Sequence, residues 1–331
     1  MSLVVITAII IALLFNFLNG MNDAANSIAT IVSTKVLSPV LAVIWASFFN
    51  IAAILFFGVH VATTIGKGIV DPSMVNEYII IGALVGSVIW VYGCTYFGMP
   101  ISASHALIGG LIGPAIIKGG TSVLITAGIT KVLLFIVLSP LIGIILGFLI
   151  MVLTMITFRK TAPRRVDSLF RILQLGSSAV FSIGHGSNDS QKTMGIIAIL
   201  LFSTGNLGTD FFVPIWVIFS CYATMAFGTL TGGWRVIKTL GLGLTHLKPV
   251  QGFCAEAAGA LTIIGSTLAG IPVSTTHTIT GSIMGVGLTK GVSSVRWNIA
   301  TNIVLAWVLT IPGTMILSGG IYYLISLFIP A

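Results

Sequence analysis

The stretch Phe15–Asp23, FNFLNGMND, lies inside an apolar segment, and a related stretch, FSIGHGSND, follows at Phe181–Asp189. Both contain the pattern Phe-x4-Gly-x-Asn-Asp, at an offset of 166 residues. A second pattern, Gly-x-Pro-x-Ser-x2-His-x3-Gly-x3-Gly, occurs at 98–113 and again at 270–285, at an offset of 172 residues. Two patterns that recur in the same order at nearly the same offset indicate an internal duplication. We therefore expect two related halves.

The composition predicts that both halves lie in a membrane. Of the 331 residues, 56% are apolar and only 7% are charged, and the mean hydropathy is +1.13. A soluble domain carries about 25% charged residues. Apolar runs long enough to cross a hydrocarbon core of about 30 Å recur along the whole chain. The chain is therefore predicted to be an all-α polytopic membrane protein whose surface mostly faces lipid.

The apolar segments predict about five transmembrane helices and one re-entrant helical hairpin in each half. The first repeat is predicted at 1–158 and the second at 168–331, joined by a short basic linker at 159–167. The hairpins are predicted at 98–118 and 270–290, because these segments are short and rich in Gly, Pro, Ser and Thr. The remaining spans are predicted at 39–64, 78–97, 121–139 and 140–158 and at 211–233, 249–269, 294–311 and 312–329.

The first segment of each half, 3–34 and 168–205, is too long for one simple span. Each carries a polar Gly/Asn/Asp cluster in its middle, which predicts a helix broken at membrane depth. The N-terminal run lacks a basic start and a cleavage site, so we expect a retained helix and not a signal peptide. Three cysteines in apolar stretches show no metal spacing and are expected to be reduced packing residues: Cys94, Cys221 and Cys254.

The span count and the charges predict two inverted-topology repeats. Five spans and one hairpin make an odd number of crossings, so the second half should enter from the opposite face. The segments 159–171 and 235–248 are basic and are expected in the cytoplasm. The first-half counterpart of the latter, 67–77, has two acids and one Lys. Both termini are thus expected outside the cell membrane. The net charge of +8 fits these loops and anionic lipid, and it does not indicate nucleic-acid binding.

Three of the seven carboxylates fall inside apolar segments: Asp23, Asp189 and Glu256. An ionised Asp at membrane depth costs several kcal/mol unless it is paired or wetted, so two at matched repeat positions indicate function. The structural alternative is a polar clamp between helices, satisfied by Lys192 or a hydroxyl. Glu256 has no acidic counterpart in the first half, and a helix–helix hydrogen bond explains it equally well.

The Asn-Asp pairs predict a cation site. The carboxamides and carboxylates of Asn22, Asp23, Asn188 and Asp189 offer hard oxygen ligands that suit Na+. A proton carried by a desolvated Asp is the alternative.

The hairpins predict the complementary anion site. Pro100 and Pro272 suit the first turn of a helix, whose free N–H groups and partial positive charge bind phosphate or sulfate oxygens. Hydroxyls follow at Ser102, Ser104, Ser274, Thr275 and Thr276. The alternative for them is ordinary capping without a ligand. Further candidates for polar contacts to either ion are His105, His277, Lys192, Gln191 and Asn26, with Asn22 and Asn188 also predicted to contact the anion.

At these motifs the sequence resembles a known family. GMNDAAN at 20–26 and GHGSNDSQKTMG at 184–195, together with the two Pro-x-Ser-x-x-His hairpins, resemble the paired motifs of the inorganic phosphate transporter (PiT) family. The resemblance covers the whole chain, and the short central loop resembles the prokaryotic sodium/phosphate symporter type. It implies phosphate uptake coupled to Na+ or H+, with ligands in the paired motifs and the hairpin hydroxyls.

The expected function is therefore secondary active symport of inorganic phosphate with Na+, by alternating access around a midplane site. The alternative is an H+-coupled symporter of phosphate or a neutral metal–phosphate complex. An intramembrane hydrolase is disfavoured, because no Ser-His-Asp order or H-E-x-x-H run occurs. A channel is the third class, disfavoured by the paired hairpins. No cofactor is expected beyond Na+ as coupling ion, and the sequence leaves self-association into a homo-oligomer open.

Overall fold

A computed structural model describes residues 1–208 and 210–328, and these form twelve α-helices. The first six are α1 Leu3–Ser33, α2 Pro39–Ala52, α3 His60–Gly68, α4 Glu77–Tyr96, α5 Ala103–Gly119 and α6 Thr126–Phe158. The second six are α7 Pro163–Ser203, α8 Ile215–Thr231, α9 Trp234–Gly243, α10 Pro249–Leu268, α11 Thr275–Leu288 and α12 Trp297–Ser326. Each helix of the first set has a counterpart in the same order in the second. The prediction of an all-α membrane protein is confirmed.

Polar residues define where several helices begin. The side chains of Ser38, Asn76, Ser102 and Ser274 each accept a backbone N–H three residues ahead, at the starts of α2, α4, α5 and α11. Such caps satisfy an N–H group that has no partner within the helix. The caps at Ser102 and Ser274 fix the exact points at which the two Gly-x-Pro-x-Ser segments become helical.

The first helix of each half is continuous, which corrects the prediction of a break at membrane depth. Both α1 and α7 are helical throughout, across the polar clusters. The polar side chains find partners on neighbouring helices, so the backbone has no need to open. The glycines in the clusters serve close packing instead: a Cβ added to Gly186 would lie 2.7 Å from the Cα of Asn50 in α2.

The predicted number of spans was also too high, because two predicted boundaries fall at prolines inside continuous helices. The segments 121–139 and 140–158 form the single helix α6 with Pro140 inside it, and 294–311 and 312–329 form α12 with Pro312 inside it. Neighbouring helices can satisfy the backbone groups that a proline frees in a membrane helix. The central linker is also shorter than 159–167, since α6 ends at Phe158 and α7 begins at Pro163.

The re-entrant features differ from the predicted hairpins at 98–118 and 270–290. Each of these segments consists of a short non-helical stretch followed by one helix, α5 or α11. The helical hairpins are therefore longer than predicted and consist of α4 with α5 and of α10 with α11. The sharply bent pairs are α2–α3, at 84°, and α8–α9, at 75°. Among the described residues, four helices are long and apolar enough to cross a membrane, or six if each bent pair is one span, against the ten predicted.

The first helices of the two halves, α1 and α7, pack at the centre of the fold. Asn16 of α1 accepts from Thr193 of α7 at 3.0 Å, and Thr34 donates to Gln174 at 2.9 Å. As residue numbers rise along α1 they fall along α7, so the two helices run antiparallel. Each hairpin helix packs against the last helix of the opposite half, α5 on α12 and α11 on α6. This exchange brings the N-termini of α5 and α11 to the middle of α1 and α7.

Candidate functional site

The carboxylates of the two Asn-Asp pairs meet where α1 crosses α7. Asp23 and Asp189 are 3% and 1% exposed. The hydroxyl of Thr275, at the start of α11, lies 3.1 Å from Asp189 Oδ2 and 3.3 Å from Asp23 Oδ2. Its single hydrogen can serve only one carboxylate at a time. The antiparallel packing of α1 and α7 therefore places two carboxylates around one hydroxyl in the protein interior.

Lys192 supplies an ammonium group at this crossing. It lies on α7 one turn beyond Asp189, and its side chain is 2% exposed. The ammonium donates to three oxygens: Asp189 Oδ1 at 2.5 Å, Ser104 Oγ at 2.6 Å and the Val273 carbonyl at 2.7 Å. The site thus contains two carboxylates and one ammonium, an excess of one negative charge when all three are ionised.

Asn22 and Asn188 occupy equivalent environments in the two halves. The amide nitrogen of Asn22 donates to Thr95 Oγ1 at 2.8 Å, and that of Asn188 donates to Thr267 Oγ1 at 2.9 Å. The carbonyl oxygen of each Asn side chain is buried and has no hydrogen-bond partner among the described residues. A buried acceptor without a partner is costly. Both oxygens are therefore suited to a ligand that carries positive charge.

The hairpin hydroxyls divide into two groups. Ser102 and Ser274 accept the backbone N–H groups of the third residues ahead, at 3.3 and 3.2 Å, which agrees with the capping alternative. Ser104, Thr275 and Thr276 instead face the charged groups. Thr276 accepts from the Asn26 amide at 3.0 Å and lies 3.5 Å from Asp23 Oδ1. The first-turn N–H groups of α5 and α11 lie beside these hydroxyls and lack intrahelical partners.

The two hairpin histidines lie behind this cluster. The rings of His105 and His277 meet edge to face with centroids 4.6 Å apart, and His277 stacks on Trp307 at 3.6 Å. They join α5 to α11 and do not contact the carboxylates.

Glu256 and Gln191 lie outside the central cluster. The Glu256 carboxylate accepts from Thr30, Gln174 and Ser177 at 2.6, 3.1 and 2.5 Å. Thr30 lies seven residues beyond Asp23, about 10 Å along the helix axis. Gln191 accepts from the Val61 N–H at 2.9 Å and so joins α7 to α3. These contacts agree with the helix–helix interpretation of Glu256.

Three further residues of the site were not predicted from the sequence. His185 Nε2 lies 3.2 Å from Asp189 Oδ2, and Asp23, His185 and Asp189 offer possible metal-ligand atoms within 4.8 Å of one another. The i, i+4 spacing of His185 and Asp189 was the available signal. Thr95 and Thr267 also went unnoticed, although both stand three residues before the Gly of the repeated Gly-x-Pro motif.

Two equivalent contacts join the short helices α3 and α9 to the turns that precede α11 and α5. Thr64 of α3 donates to the carbonyl of Gly270 at 2.7 Å, and Thr239 of α9 donates to the carbonyl of Gly98 at 2.9 Å. We call these the α3 latch and the α9 latch. Each joins the short arm of a bent helix pair to the hairpin turn of the other half. With both latches formed, the central carboxylates are buried.

Comparisons with known proteins agree on one class. Residues 19–318 match the model of the phosphate transporter family. A probable low-affinity inorganic phosphate transporter of Rhizobium meliloti is 52% identical over 315 residues, covering 95% of this chain and 94% of that protein. One from Bacillus subtilis is 40% identical, covering 97% of both. A solved structure described as the sodium-dependent phosphate transporter shares the fold, with a TM-score of 0.91, 24% identity and coverage of 99% of this chain and 100% of that one.

Proposed function

The chain belongs to the phosphate transporter family, and we propose that it moves inorganic phosphate across the cell membrane together with Na+ by alternating access. It is a transporter and not an enzyme, as expected from the sequence. The single observation that carries the coupling proposal is the buried pair Asp23 and Asp189 between two helix N-termini. The solved transporter of the same fold is described as sodium-dependent, so Na+ is the first cation to test.

Electrostatics explains why phosphate would need a cation here. A pair of like unit charges 4 Å apart repels by about 4 kcal/mol at an effective dielectric constant of 20. A phosphate dianion beside Asp23 and Asp189 would meet that repulsion several times over, and Lys192 offsets only part of it. A Na+ ion bound at the carboxylates, with the free carbonyl oxygens of Asn22 and Asn188 as further candidate ligands, would reverse the sign of this interaction. Phosphate affinity then rises with Na+, and Na+ affinity rises with phosphate by the same factor.

The phosphate site is proposed at the facing N-termini of α5 and α11. Ser104, Thr275 and Thr276 supply hydroxyls there, and the free N–H groups and helix dipoles favour an anion. Asn22 and Asn188, next to Asp23 and Asp189 in the chain, are proposed to add polar contacts to the phosphate. Ser102 and Ser274 serve mainly to cap the helices, and their hydroxyl hydrogens remain available to a phosphate oxygen.

Alternating access is supported by the relation between the halves. We propose that they are inverted repeats, since the equivalent helices α1 and α7 run antiparallel. This support does not depend on the number of spans, which the sequence overestimated. Opening the α3 latch would expose the site toward one membrane face, and opening the α9 latch would expose it toward the other. Alternation between the two is how inverted-repeat transporters move substrates.

The charges support one orientation. The end of α1, the α6–α7 linker, the start of α7 and the region between α9 and α10 share one face. Arg171 of α7 donates to the Lys35 carbonyl, and Gly252 at the start of α10 packs against Gln174 of α7. Basic loops remain in the cytoplasm, so we assign this face to the inside. The N-terminus begins at the opposite, outer end of α1. Nine of the fifteen Lys and Arg residues lie in these segments or bond to them: Lys35, Arg159, Lys160, Arg164, Arg165, Arg171, Lys248, Lys290 and Arg296.

Uptake by the purified protein in liposomes tests the proposal. Radiolabelled phosphate should accumulate when Na+ is added outside, and a pH gradient alone should not drive it. Asp23→Asn should abolish the Na+ stimulation, whereas Asp71→Asn, which removes a loop carboxylate bound only to Ser73, should leave it intact. Accumulation driven by a pH gradient without Na+ would instead favour H+ or metal–phosphate symport. Large unitary currents in a planar bilayer would indicate a channel.

A further inference from the structure

Lys192 is held in the way that an oxygen site holds a bound metal cation. Its three N–H groups are all used, by a carboxylate, a hydroxyl and a backbone carbonyl at 2.5 to 2.7 Å. An ammonium has no further hydrogen to donate once three acceptors are filled. Lys192 therefore has no N–H group left to donate to phosphate in this arrangement, and its positive charge neutralises Asp189.

The duplication places a matching set of oxygens in the other half. The repeat offsets of 166 and 172 residues relate Asp189 to Asp23, Ser104 to Thr276 and Val273 to Ile101. These counterparts also lie together: Thr276 Oγ1 donates to the Ile101 carbonyl at 3.0 Å and lies 3.5 Å from Asp23 Oδ1. The carboxylate, hydroxyl and carbonyl that surround the ammonium in one half therefore have equivalents in the other.

The residue equivalent to Lys192 differs. At an offset of 166 it is Asn26, whose neutral amide donates to Thr276 at 3.0 Å and to Thr275 at 3.3 Å. The set around Asp23 thus has the oxygens of a cation site and no fixed cation. Carboxylate, hydroxyl and carbonyl oxygens are the ligands that hard cations prefer.

We propose that Lys192 permanently fills one of two equivalent cation positions, so that a single exchangeable Na+, held by Asp23, Thr276 and the Ile101 carbonyl, is coupled to each phosphate at this pair. The inference rests on the proposed Na+-coupled transport. It adds the number of Na+ ions that the carboxylate pair binds with each phosphate, which is one. A lysine that serves only as a structural clamp would affect stability without changing the number of cations linked to phosphate.

Linkage measures that number directly. Phosphate affinity of the purified full-length protein is measured over a series of Na+ concentrations, with choline chloride holding the ionic strength constant. A tenfold fall in Na+ should weaken phosphate binding about tenfold, which corresponds to one linked cation. Lys192→Asn gives the second half the residue found in the first, and the same fall should then weaken binding about a hundredfold. Lys131→Asn, which removes a lysine from α6 away from the site, should behave as the unmodified protein does.

The reciprocal variant tests the same inference by gain of charge. Asn26→Lys introduces a second ammonium beside Asp23, and phosphate binding should then become nearly independent of Na+. This variant and the unmodified protein decide the question if Lys192→Asn does not fold. A hundredfold effect in the unmodified protein, or tenfold effects in both Lys192→Asn and Asn26→Lys, would overturn the lysine assignment and leave Na+ coupling intact. Phosphate uptake with no Na+ dependence at all would overturn the proposed coupling and the lysine assignment together.

Discussion

Asp23 and Asp189 should differ sharply in what they contribute to stability, although both are expected to be needed for transport. Asp189 forms a buried ion pair with Lys192 at 2.5 Å, with both side chains at most 2% exposed. Removing one partner of a buried pair leaves an uncompensated charge and costs about 3–5 kcal/mol. Asp23 forms no ion pair among the described residues, and the hydroxyls of Thr275 and Thr276 lie 3.3 and 3.5 Å from its carboxylate. Its neutralisation should cost about 1 kcal/mol or less, because these hydrogen bonds are long.

The three cysteines provide the assay. Cys94, Cys221 and Cys254 are at most 6% exposed, so a thiol-reactive fluorophore should label them only as the protein unfolds on heating in detergent. Asp189→Asn should lower the unfolding midpoint by many degrees, and Asp23→Asn should change it little. Both variants should lose Na+-stimulated phosphate uptake.

A double variant separates the charge effect from a general packing effect. Asp189→Asn with Lys192→Met removes both charges, so no buried ion is left without a partner, and much of the lost stability should return. Equal destabilisation by Asp23→Asn and Asp189→Asn would refute the reasoning. So would a double variant no more stable than Asp189→Asn alone, since the loss could then not arise from an unpaired ammonium.

Two further predictions concern the packing that surrounds the site. Thr64→Val removes the α3 latch and Thr239→Val removes the α9 latch, with nearly conserved side-chain volume. Each variant should favour a conformation open toward one membrane face, so thiol labelling of single cysteines placed on that face should rise and labelling on the other face should fall. Equal labelling in both variants would contradict the assignment. Gly186→Ala should destabilise the protein by about 1–3 kcal/mol, because the new methyl would lie 2.7 Å from the Cα of Asn50, and an unchanged unfolding midpoint would show that α2 and α7 can separate without cost.

The class of protein and the central residues could be predicted because both can be recognised from short stretches of sequence, without knowledge of tertiary contacts. Low charge and long apolar runs indicate contact with lipid, whatever the way in which the helices pack against each other. Asp23 and Asp189 stand out because an acid within an apolar run needs a reason to be there. The duplication then related one acid to the other, and the antiparallel packing of α1 and α7 brings the two together.

The errors concern features that tertiary contacts decide. Pro140 and Pro312 suggested span boundaries, yet neighbouring helices allow α6 and α12 to continue through them. The polar cluster of α1 suggested a break, but its side chains bond to other helices instead. His185 was overlooked because a lone histidine in an apolar run is usually a packing residue, although its i, i+4 spacing to Asp189 is visible in the sequence.

The differences between the halves carry more mechanistic information than their similarities. Around Asp189 the second half has His185 and Lys192, and the equivalent positions in the first half are the neutral amides Asn19 and Asn26. Basic groups are therefore concentrated on one carboxylate of a pair that the duplication made equivalent. A mobile cation gains most where fixed positive charge is absent, and that is Asp23. The Na+ dependence of phosphate binding should accordingly depend on residues of α1 more than on residues of α7. Asn26→Asp, which adds an acid beside Asp23, should raise Na+ affinity. Gln191→Glu, which adds an acid on α7, should leave Na+ affinity unchanged.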